Sequence, residues 1–398
     1  MLNDRRLTGP IRSATGRAGH PRARCDRAVF QSAKTTLIHC ELSAVTVNHQ
    51  RPIRIPLSEI IDYMDKVTLI DFITLIRSAE FSPGLLGLVI SSRRSAADFV
   101  EEFERIVRPV IDETVTEQEV RDRVSASLLA TSTKLSFLIR GYAQMANVAF
   151  RIDLAVLGSA LARLYDDLFD EVGGPHLDHQ LAQLFDGADA VATNDVEQLI
   201  IRLYQEAYRL LERTADDPVF FSLIRLHEYQ IKSRQQRSQS IPAGTLLDIT
   251  LGKGGHGLAV LFGMMRPAMN LTEHGLIVEL GGALQLLDDY QDFELDRLNG
   301  ITTNATRYCL SLSEIAMRLK SLRRDMIAFY GRRKAHKFFC VVYATMWISY
   351  FRRRIPHIGT RNSQSSGSRT ATALGVLLTP GDNLLQNAAD RTRVWPGR

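Results

Sequence analysis

Apolar side chains recur at helical spacing along most of residues 53–355, whereas strand patterns are weak throughout the chain. Apolar positions three and four residues apart fall on one face of an α-helix. The pattern therefore predicts an all-α fold. The predicted helices span residues 58–78, 96–112, 117–151, 154–171, 196–214, 218–234, 246–265, 273–298, 313–330 and 337–354.

Helix-breaking residues divide this pattern. Pro109 predicts a break or kink in its helix, because proline lacks a backbone N–H. Gly141 predicts an interruption of the long segment 117–151, and Gly174 with Pro175 predicts a helix stop. Gly300 is expected to cap the helix that precedes it.

The two ends of the chain differ from its middle. Residues 1–52 are basic, with seven arginines and two acids among the first 34, and are expected to form a disordered leader; a transit peptide has the same bias. Residues 356–398 are rich in small polar residues and are expected to form a flexible tail. One domain is predicted between them, at 53–355.

Composition restricts the classes of function. The chain has 398 residues, of which 45% are hydrophobic, so a sizeable core is expected, and its net charge of +5 does not predict nucleic-acid binding. The four cysteines lack the spacing of a zinc site or a disulfide framework, which favours a reducing, cytoplasmic location. The longest apolar run, residues 338–351, is too short for a transmembrane helix and predicts a buried terminal helix.

Two acidic clusters stand out in this apolar background. Asp288, Asp292 and Asp296 are spaced at i, i+4 and i+8, with Asp289 beside the first. In a helix these three carboxylates share one stripe, where like charges repel each other. Each cluster alone also fits a solvated helix face, but two clusters on two apolar helices favour divalent cations bound through oxygen.

The other cluster ends the helix predicted at 154–171. Asp166 and Asp170 share one face of that helix, and Asp167 and Glu171 form the adjacent row. Acids at a helix C-terminus are disfavoured by the helix dipole, and a bound cation removes that penalty. The sequence therefore predicts metal ligands in both clusters.

These motifs resemble those of the class I isoprenoid synthases, the all-helical family of prenyl diphosphate synthases and class I terpene cyclases. The family motif DDxxD is matched from Asp166 to Asp170 and again from Asp288 to Asp292. The cyclase form of the second motif has its ligand spacing at Asp288, Asp292 and Asp296, here with Asp in place of Ser or Thr and of Glu. The resemblance covers about residues 60–355 and implies a helical bundle around a central apolar cavity.

The resemblance also implies a chemistry. Three Mg²⁺ ions are expected to bridge the clusters and a prenyl diphosphate, so that the allylic C–O bond ionises in a cavity closed to water. Aromatic rings stabilise such cations. The expected metal ligands are Asp166, Asp167, Asp170, Asp288, Asp289, Asp292 and Asp296; the aromatic candidates are Tyr165, Phe169, Tyr229, Tyr290, Phe293 and Trp347.

Basic residues between and after the clusters are candidates for diphosphate contacts. Arg234 and Arg237 match the position of the family's diphosphate sensor, and Lys253, before two glycines, is similar to a lysine at a helix break in chain elongators. Arg307 and Tyr308 are further candidates. A basic patch that includes Arg225, His227 and Lys232 also fits a solvated face.

The second substrate decides between elongation and cyclisation. Chain elongators of the family carry Gly-Gly-Lys-Arg before the first motif and an Arg pair after it, and this chain has neither. The resemblance therefore implies a terpene cyclase with a single substrate, geranylgeranyl or farnesyl diphosphate.

Two alternatives stay open. One is a prenyl diphosphate synthase or other prenyltransferase, and the other is a non-catalytic helical interaction protein. No nucleic-acid partner is expected, and a homodimer is left open.

Overall fold

The computed structural model describes residues 84–171, 174–213 and 217–354. Regular structure in these ranges is entirely helical, which confirms the all-α fold. The helices are α1 (Gly84–Ile106), α2 (Arg108–Thr114), α3 (Gln118–Ala146), α4 (Ile152–Glu171), α5 (Pro175–Phe185), α6 (Asp195–Leu211), α7 (Pro218–Ser233), a 3-10 turn (Arg234–Arg237), α8 (Ala243–Met265), α9 (Leu271–Gln291), α10 (Phe293–Leu298), α11 (Asn304–Tyr308), α12 (Leu312–Tyr330) and α13 (Arg332–Arg354). The predicted helix 58–78, leader and tail lie outside the described residues.

Helices α8 and α9 form the most extensive contact between elements, and α7 packs on the other side of α8. Helices α3 and α4 pair beside them, and α4 also contacts α6 and α8. Helix α13 packs against α3, α9 and α12. A single apolar core of buried side chains runs through this bundle, and helices around it enclose a central apolar pocket.

Glycines bring α8 and α9 together. A β-carbon added to Gly281 would lie 2.2 Å from the carbonyl oxygen of Gly254, and one added to Gly254 would lie 2.5 Å from the carbonyl oxygen of Gly281. Only residues without a side chain allow two backbones to approach this closely. The contact fixes the position of Lys253, the neighbour of Gly254, relative to α9.

Two of the predicted helix breaks differ in the structure. The chain breaks at Val107, so that Pro109 lies in the first turn of α2, where its missing N–H costs no hydrogen bond. The interruption predicted at Gly141 is wrong, because α3 continues through it to Ala146; a β-carbon there would lie 3.3 Å from the Phe338 ring of α13. Gly141 thus allows close helix packing rather than ending a helix.

Two further local expectations are corrected. The helix break similar to that of chain elongators is absent at Lys253, because α8 is continuous and its glycines pack on α9. The helix predicted at 273–298 is divided at Asp292 into α9 and α10. Two short helices, α5 and α11, have no counterpart among the predicted helices.

A buried carboxylate ties three helices together away from the pocket. Glu273 of α9 is fully buried and accepts hydrogen bonds from Tyr142 of α3 (3.0 Å), Tyr330 of α12 (2.8 Å) and Arg266 (2.6 Å). Burial, followed by the Glu273 charge, raises the pKa of Tyr142. Within the described residues, no helix combines the length and apolarity needed to cross a membrane.

Candidate functional site

The central pocket has a volume of about 310 Å³, within the usual range of small-molecule sites. Most of its wall is apolar and comes from α3, α4, α6, α7, α8 and α9. The wall also contains Gly158 and Met264. The two residues pack closely, because a β-carbon added to Gly158 would lie 2.6 Å from the Met264 sulfur. Apart from the tyrosines Tyr165, Tyr204 and Tyr208, the polar side chains in the lining are Lys134, Asp166, Lys253, Gln285, Asp288, Gln291, Thr345 and Ser349.

One acid from each predicted cluster reaches this pocket. Asp166 lies near the end of α4 and Asp288 near the end of α9. Gly158, in the same wall as Asp166, is eight residues earlier, which corresponds to about 12 Å along the helix axis. The pocket therefore changes from acidic to apolar along α4, as a site for a molecule with an anionic end and a hydrocarbon end requires.

The second acidic stripe keeps helical register across the break at Asp292. The Asp292 N–H donates to the Asp288 carbonyl and the Asp296 N–H donates to the Asp292 carbonyl, both at 2.9 Å. These bonds place the three aspartates on one face, with Asp288 exposed and the other two half-buried. The stripe expected from the sequence is thus formed by the backbone.

Asp289 lies on a different side of α9. It is buried, and its carboxylate accepts a hydrogen bond from the Thr250 hydroxyl of α8 (3.3 Å), which accepts one from Asn304 (2.9 Å). Burial, together with the charges of Asp288 and Asp296, raises the pKa of Asp289 to about 7. Its contacts fasten α9 to α8 beside the stripe.

The first acidic cluster is held from two sides. Asp166 accepts a hydrogen bond from Gln230 of α7 (2.6 Å), and the Lys253 ammonium lies 3.5 Å from the same oxygen, Oδ1. Asp167 instead forms an ion pair with Arg163 on its own helix (2.9 Å). Asp170 follows Asp166 by one helical turn, and its side chain lies outside the described part of the structure.

Lys253 connects the two acidic clusters. Its ammonium lies near Asp166, and the next residue along the chain, Gly254, packs against Gln285 of α9. Gln285 donates a hydrogen bond to Asp288 (3.2 Å). The two clusters are therefore joined by a short series of contacts at one pocket, rather than lying on unrelated surfaces.

The donor set fits magnesium bound through a phosphate. Within the described ranges, no three His, Cys, Asp or Glu side chains converge on a site for an ion held by protein alone. Mg²⁺ commonly takes one or two carboxylates, waters and substrate phosphate oxygens, which suits acids on separate helices. Beside Asp166, the Gln230 amide oxygen is buried without a hydrogen-bond partner, as expected at a polar site built for a further group.

Tyr165 lies in the pocket wall next to Asp166 and is fixed from behind. Its hydroxyl is 2.7 Å from Nδ1 of the buried His227, whose Nε2 is 3.0 Å from the Asp178 carbonyl. The rings of Phe169 and Phe185 pack around this pair. Burial lowers the pKa of His227. His227 is thus a neutral hydrogen-bonding group and does not belong to a basic patch.

The predicted basic residues other than Lys253 do not line the pocket. Arg234 forms a bidentate ion pair with Asp178, one arm of which measures 2.5 Å, and lies over the Phe169 ring. Arg237 is exposed in the 3-10 turn. Arg307 donates to the Ile241 carbonyl and lies over its neighbour Tyr308.

The predicted aromatic residues also separate. Tyr165 lines the pocket and Phe169 packs behind it at 4.9 Å between ring centroids. Tyr229 packs on Gly252 and donates to Asp248 (3.1 Å), away from the lining. The Tyr290 and Phe293 rings contact the Arg353 guanidinium instead of the pocket. Trp347 packs at the edge of the core, and neither it nor Tyr308 is part of the lining.

Several site residues were not found from the sequence. Gln230, Gln285 and Gln291 are neutral amides whose role depends on the helices facing them, so no charge pattern marks them. Lys134 is one of many lysines and arginines on helical faces, and only the fold places it in the lining. The local signal in this group is the spacing of Gln285 and Gln291, which lie three residues before and after Asp288 on one helical face.

No protein-family model matches the chain, and no curated protein matches it. Among solved structures, it is similar to a geranyltransferase from Legionella pneumophila, with 14% identity, a TM-score of 0.42, and coverage of 65% of this chain and 97% of that one. It is also similar to an FPP/GFPP synthase from Zymomonas mobilis, with 14% identity, a TM-score of 0.36, and coverage of 63% and 96%. At these values the likeness carries no argument about activity.

Proposed function

We propose that the chain is a magnesium-dependent enzyme that ionises a prenyl diphosphate, with chemistry of the class I isoprenoid synthase type. The observation that carries the proposal is the pocket that joins Asp166, Asp288 and Lys253 to a long apolar wall. A diphosphate matches the lysine and the metal-binding acids, and a prenyl chain matches the apolar wall. A purely structural helical protein needs neither an acidic rim nor a cavity behind it.

Asp166, Asp288 and Asp292 are the residues that would hold magnesium, with Asp296 continuing their stripe. Bound magnesium supplies positive charge that neutralises the leaving diphosphate. Lys253 donates hydrogen bonds to the diphosphate oxygens in place of its contact with Asp166. The allylic C–O bond then breaks with its electron pair going to the diphosphate, and the apolar wall holds the prenyl cation away from water.

The fate of the cation depends on whether a second substrate enters. Lys134 of α3 lines the pocket and has no hydrogen-bond or ion-pair partner among the described residues. The same lining contains polar groups of α9 and α13, where Ser349 donates a hydrogen bond to Gln291 (3.1 Å). An unpaired cation in the same lining as these polar groups favours an anionic or polar acceptor, so we favour prenyl transfer over cyclisation.

The cyclase predicted from the sequence is kept as the second candidate. The basic side chains in the described lining are Lys134 and Lys253, and two lysines are few for two diphosphates. A single diphosphate substrate whose own double bond attacks the cation needs no second anion site.

The test is turnover by the full chain with Mg²⁺ and geranyl, farnesyl or geranylgeranyl diphosphate, each with and without isopentenyl diphosphate. The release of diphosphate and the extracted products are measured. A lengthened prenyl diphosphate supports transfer, whereas a hydrocarbon formed from one substrate supports cyclisation. If no prenyl diphosphate is consumed in the presence of magnesium, the proposed function is wrong.

A further inference from the structure

Tyr165 is the aromatic residue of the pocket that stands nearest to the acidic rim along the chain. It precedes Asp166 on α4, lines the pocket, and is only 6% exposed. Its position places its ring where the anionic end of a prenyl diphosphate meets the apolar wall. This is also where the cation forms, so the hydroxyl of Tyr165 needs a partner outside the path of the substrate.

The hydrogen bonds around His227 fix which way that hydroxyl points. The Asp178 carbonyl can only accept, so Nε2 of His227 carries the hydrogen at that contact (3.0 Å). In the neutral ring Nδ1 then has a free lone pair, and it accepts a hydrogen bond from the Tyr165 hydroxyl at 2.7 Å. The hydroxyl hydrogen of Tyr165 is therefore directed toward His227, behind the pocket wall.

The surroundings leave water little access to this pair. His227 is 6% exposed, and the rings of Tyr165, Phe169 and Phe185 pack against it at centroid distances of 5.5–6.3 Å. Its helix, α7, also supplies Gln230 to Asp166. His227 and Gln230, one turn apart on α7, thus hydrogen-bond to the consecutive residues Tyr165 and Asp166 of α4.

We propose that His227 is a positioning residue that keeps the Tyr165 hydroxyl out of the pocket and thereby keeps water away from the prenyl cation. This inference rests on the proposed function. A buried hydroxyl without a partner recruits a water or a substrate group. Without the His227 acceptor, the Tyr165 hydroxyl takes a water into the apolar wall, and that water captures the cation: its oxygen bonds to the cationic carbon and it loses a proton to the solvent, which gives a prenyl alcohol.

Two substitutions at His227 separate its two hydrogen bonds. In His227→Asn the amide oxygen is at the position of Nδ1 and still accepts from Tyr165. In His227→Gln the amide nitrogen is at the position of Nε2 and still donates to Asp178, but the acceptor for Tyr165 is lost. Tyr165→Phe in the His227→Gln background removes the hydroxyl that has lost its partner, while keeping the ring.

The experiment measures the share of prenyl alcohol among the products of the full chain with Mg²⁺ and a prenyl diphosphate, together with thermal unfolding. We expect His227→Gln to raise the alcohol share about threefold or more, because an unpaired hydroxyl is costly enough to hold a water. His227→Asn should remain close to the unmodified chain. The double variant His227→Gln/Tyr165→Phe should have an alcohol share and an unfolding temperature closer to those of the unmodified chain than His227→Gln alone.

A histidine outside the pocket provides the control. His274 of α9 is half-buried, hydrogen-bonds to Ser222 at 2.9 Å, and does not line the pocket. His274→Asn should leave the alcohol share unchanged. The proposal is overturned if His227→Gln and His227→Asn give equal alcohol shares, or if Tyr165→Phe fails to reverse the effect of His227→Gln. Failure of the proposed function is distinguishable, because then the unmodified chain releases no diphosphate with magnesium.

Discussion

At the scale of single residues, spacing in the sequence identified the acids but not their separate environments. Asp166 and Asp288 face the pocket, Asp289 fastens α9 to α8, and Asp167 is paired with Arg163. Four carboxylates that look equivalent in the DDxxD motifs therefore differ in what they contact. Which of two adjacent aspartates faces inward depends on how each helix is rotated in the bundle, and the motif does not contain that information.

These environments predict unequal effects of neutralising the acids. Under the proposed function, Asp166→Asn and Asp288→Asn should each lower kcat at least about a hundredfold, because each removes a charge that would hold magnesium at the diphosphate. Asp167→Asn should have a smaller effect, since its carboxylate already pairs with Arg163. Steady-state kinetics with a prenyl diphosphate measures the difference.

The exposed Asp325 of α12 gives a matched control, and Asp325→Asn should retain full activity. Circular dichroism should show all four variants folded. Equal kcat values for Asp166→Asn and Asp325→Asn would contradict the assignment of Asp166 to the site.

At the scale of elements, the contact between α8 and α9 positions the site. The backbones meet at Gly254 and Gly281, and polar residues near this contact reach the acids: Lys253 lies 3.5 Å from Asp166, and Gln285 donates a hydrogen bond to Asp288. The small residues at 281–283 allow this close approach. Gly254 and Gly255 lie within the continuous helix α8 and belong to the same contact with α9.

Gly281→Ala should destabilise the protein by about 1–3 kcal/mol, because its β-carbon would lie 2.2 Å from the Gly254 carbonyl oxygen and the helices must separate. Urea unfolding measures the change. Turnover should fall as well, since Lys253 and Asp288 move apart with the helices.

Gly275→Ala, on the same helix, is the control. A β-carbon there meets no atom within 4 Å, and alanine is the better helix former, so this variant should be neutral or up to about 1 kcal/mol more stable. If both alanine variants unfold at the same urea concentration, close packing at Gly281 does not hold the helices in place.

Helical periodicity predicted most elements because amphipathic helices carry their pattern locally. It placed α4, α7 and α12 nearly at their observed bounds. It failed at Gly141, where a glycine serves packing against Phe338 from a distant part of the chain. For the candidate site, charge spacing indicated the acids and the family resemblance indicated Lys253, whereas the positions of Gln230, Lys134 and His227 depend only on which helices meet.

At the scale of the whole molecule, the pocket and the buried Glu273 cluster lie on different parts of α9. The stripe at Asp288 contributes to the pocket, while Glu273 joins α3, α9 and α12 through Tyr142 and Tyr330. The fold therefore separates the candidate site from a buried network that joins α3, α9 and α12.

Glu273→Ala should destabilise the protein by about 2–4 kcal/mol, because it leaves the hydroxyls of the buried Tyr142 and the half-buried Tyr330, and the Arg266 guanidinium, without their acceptor. Thermal and urea unfolding measure the loss. At a temperature where the variant is folded, its KM should match that of the unmodified chain. A large rise in KM with unchanged stability would place Glu273 in the site instead of the scaffold.

The central claim is that the two acidic clusters and Lys253 form one site for magnesium and a diphosphate. Calorimetric titration of inorganic diphosphate into the full chain, with and without Mg²⁺, tests it most directly. We expect binding only when magnesium is present, its loss in Asp166→Asn and in Asp288→Asn, and weaker binding in Lys253→Met. Binding of equal strength without magnesium, or in both aspartate variants, would contradict the account.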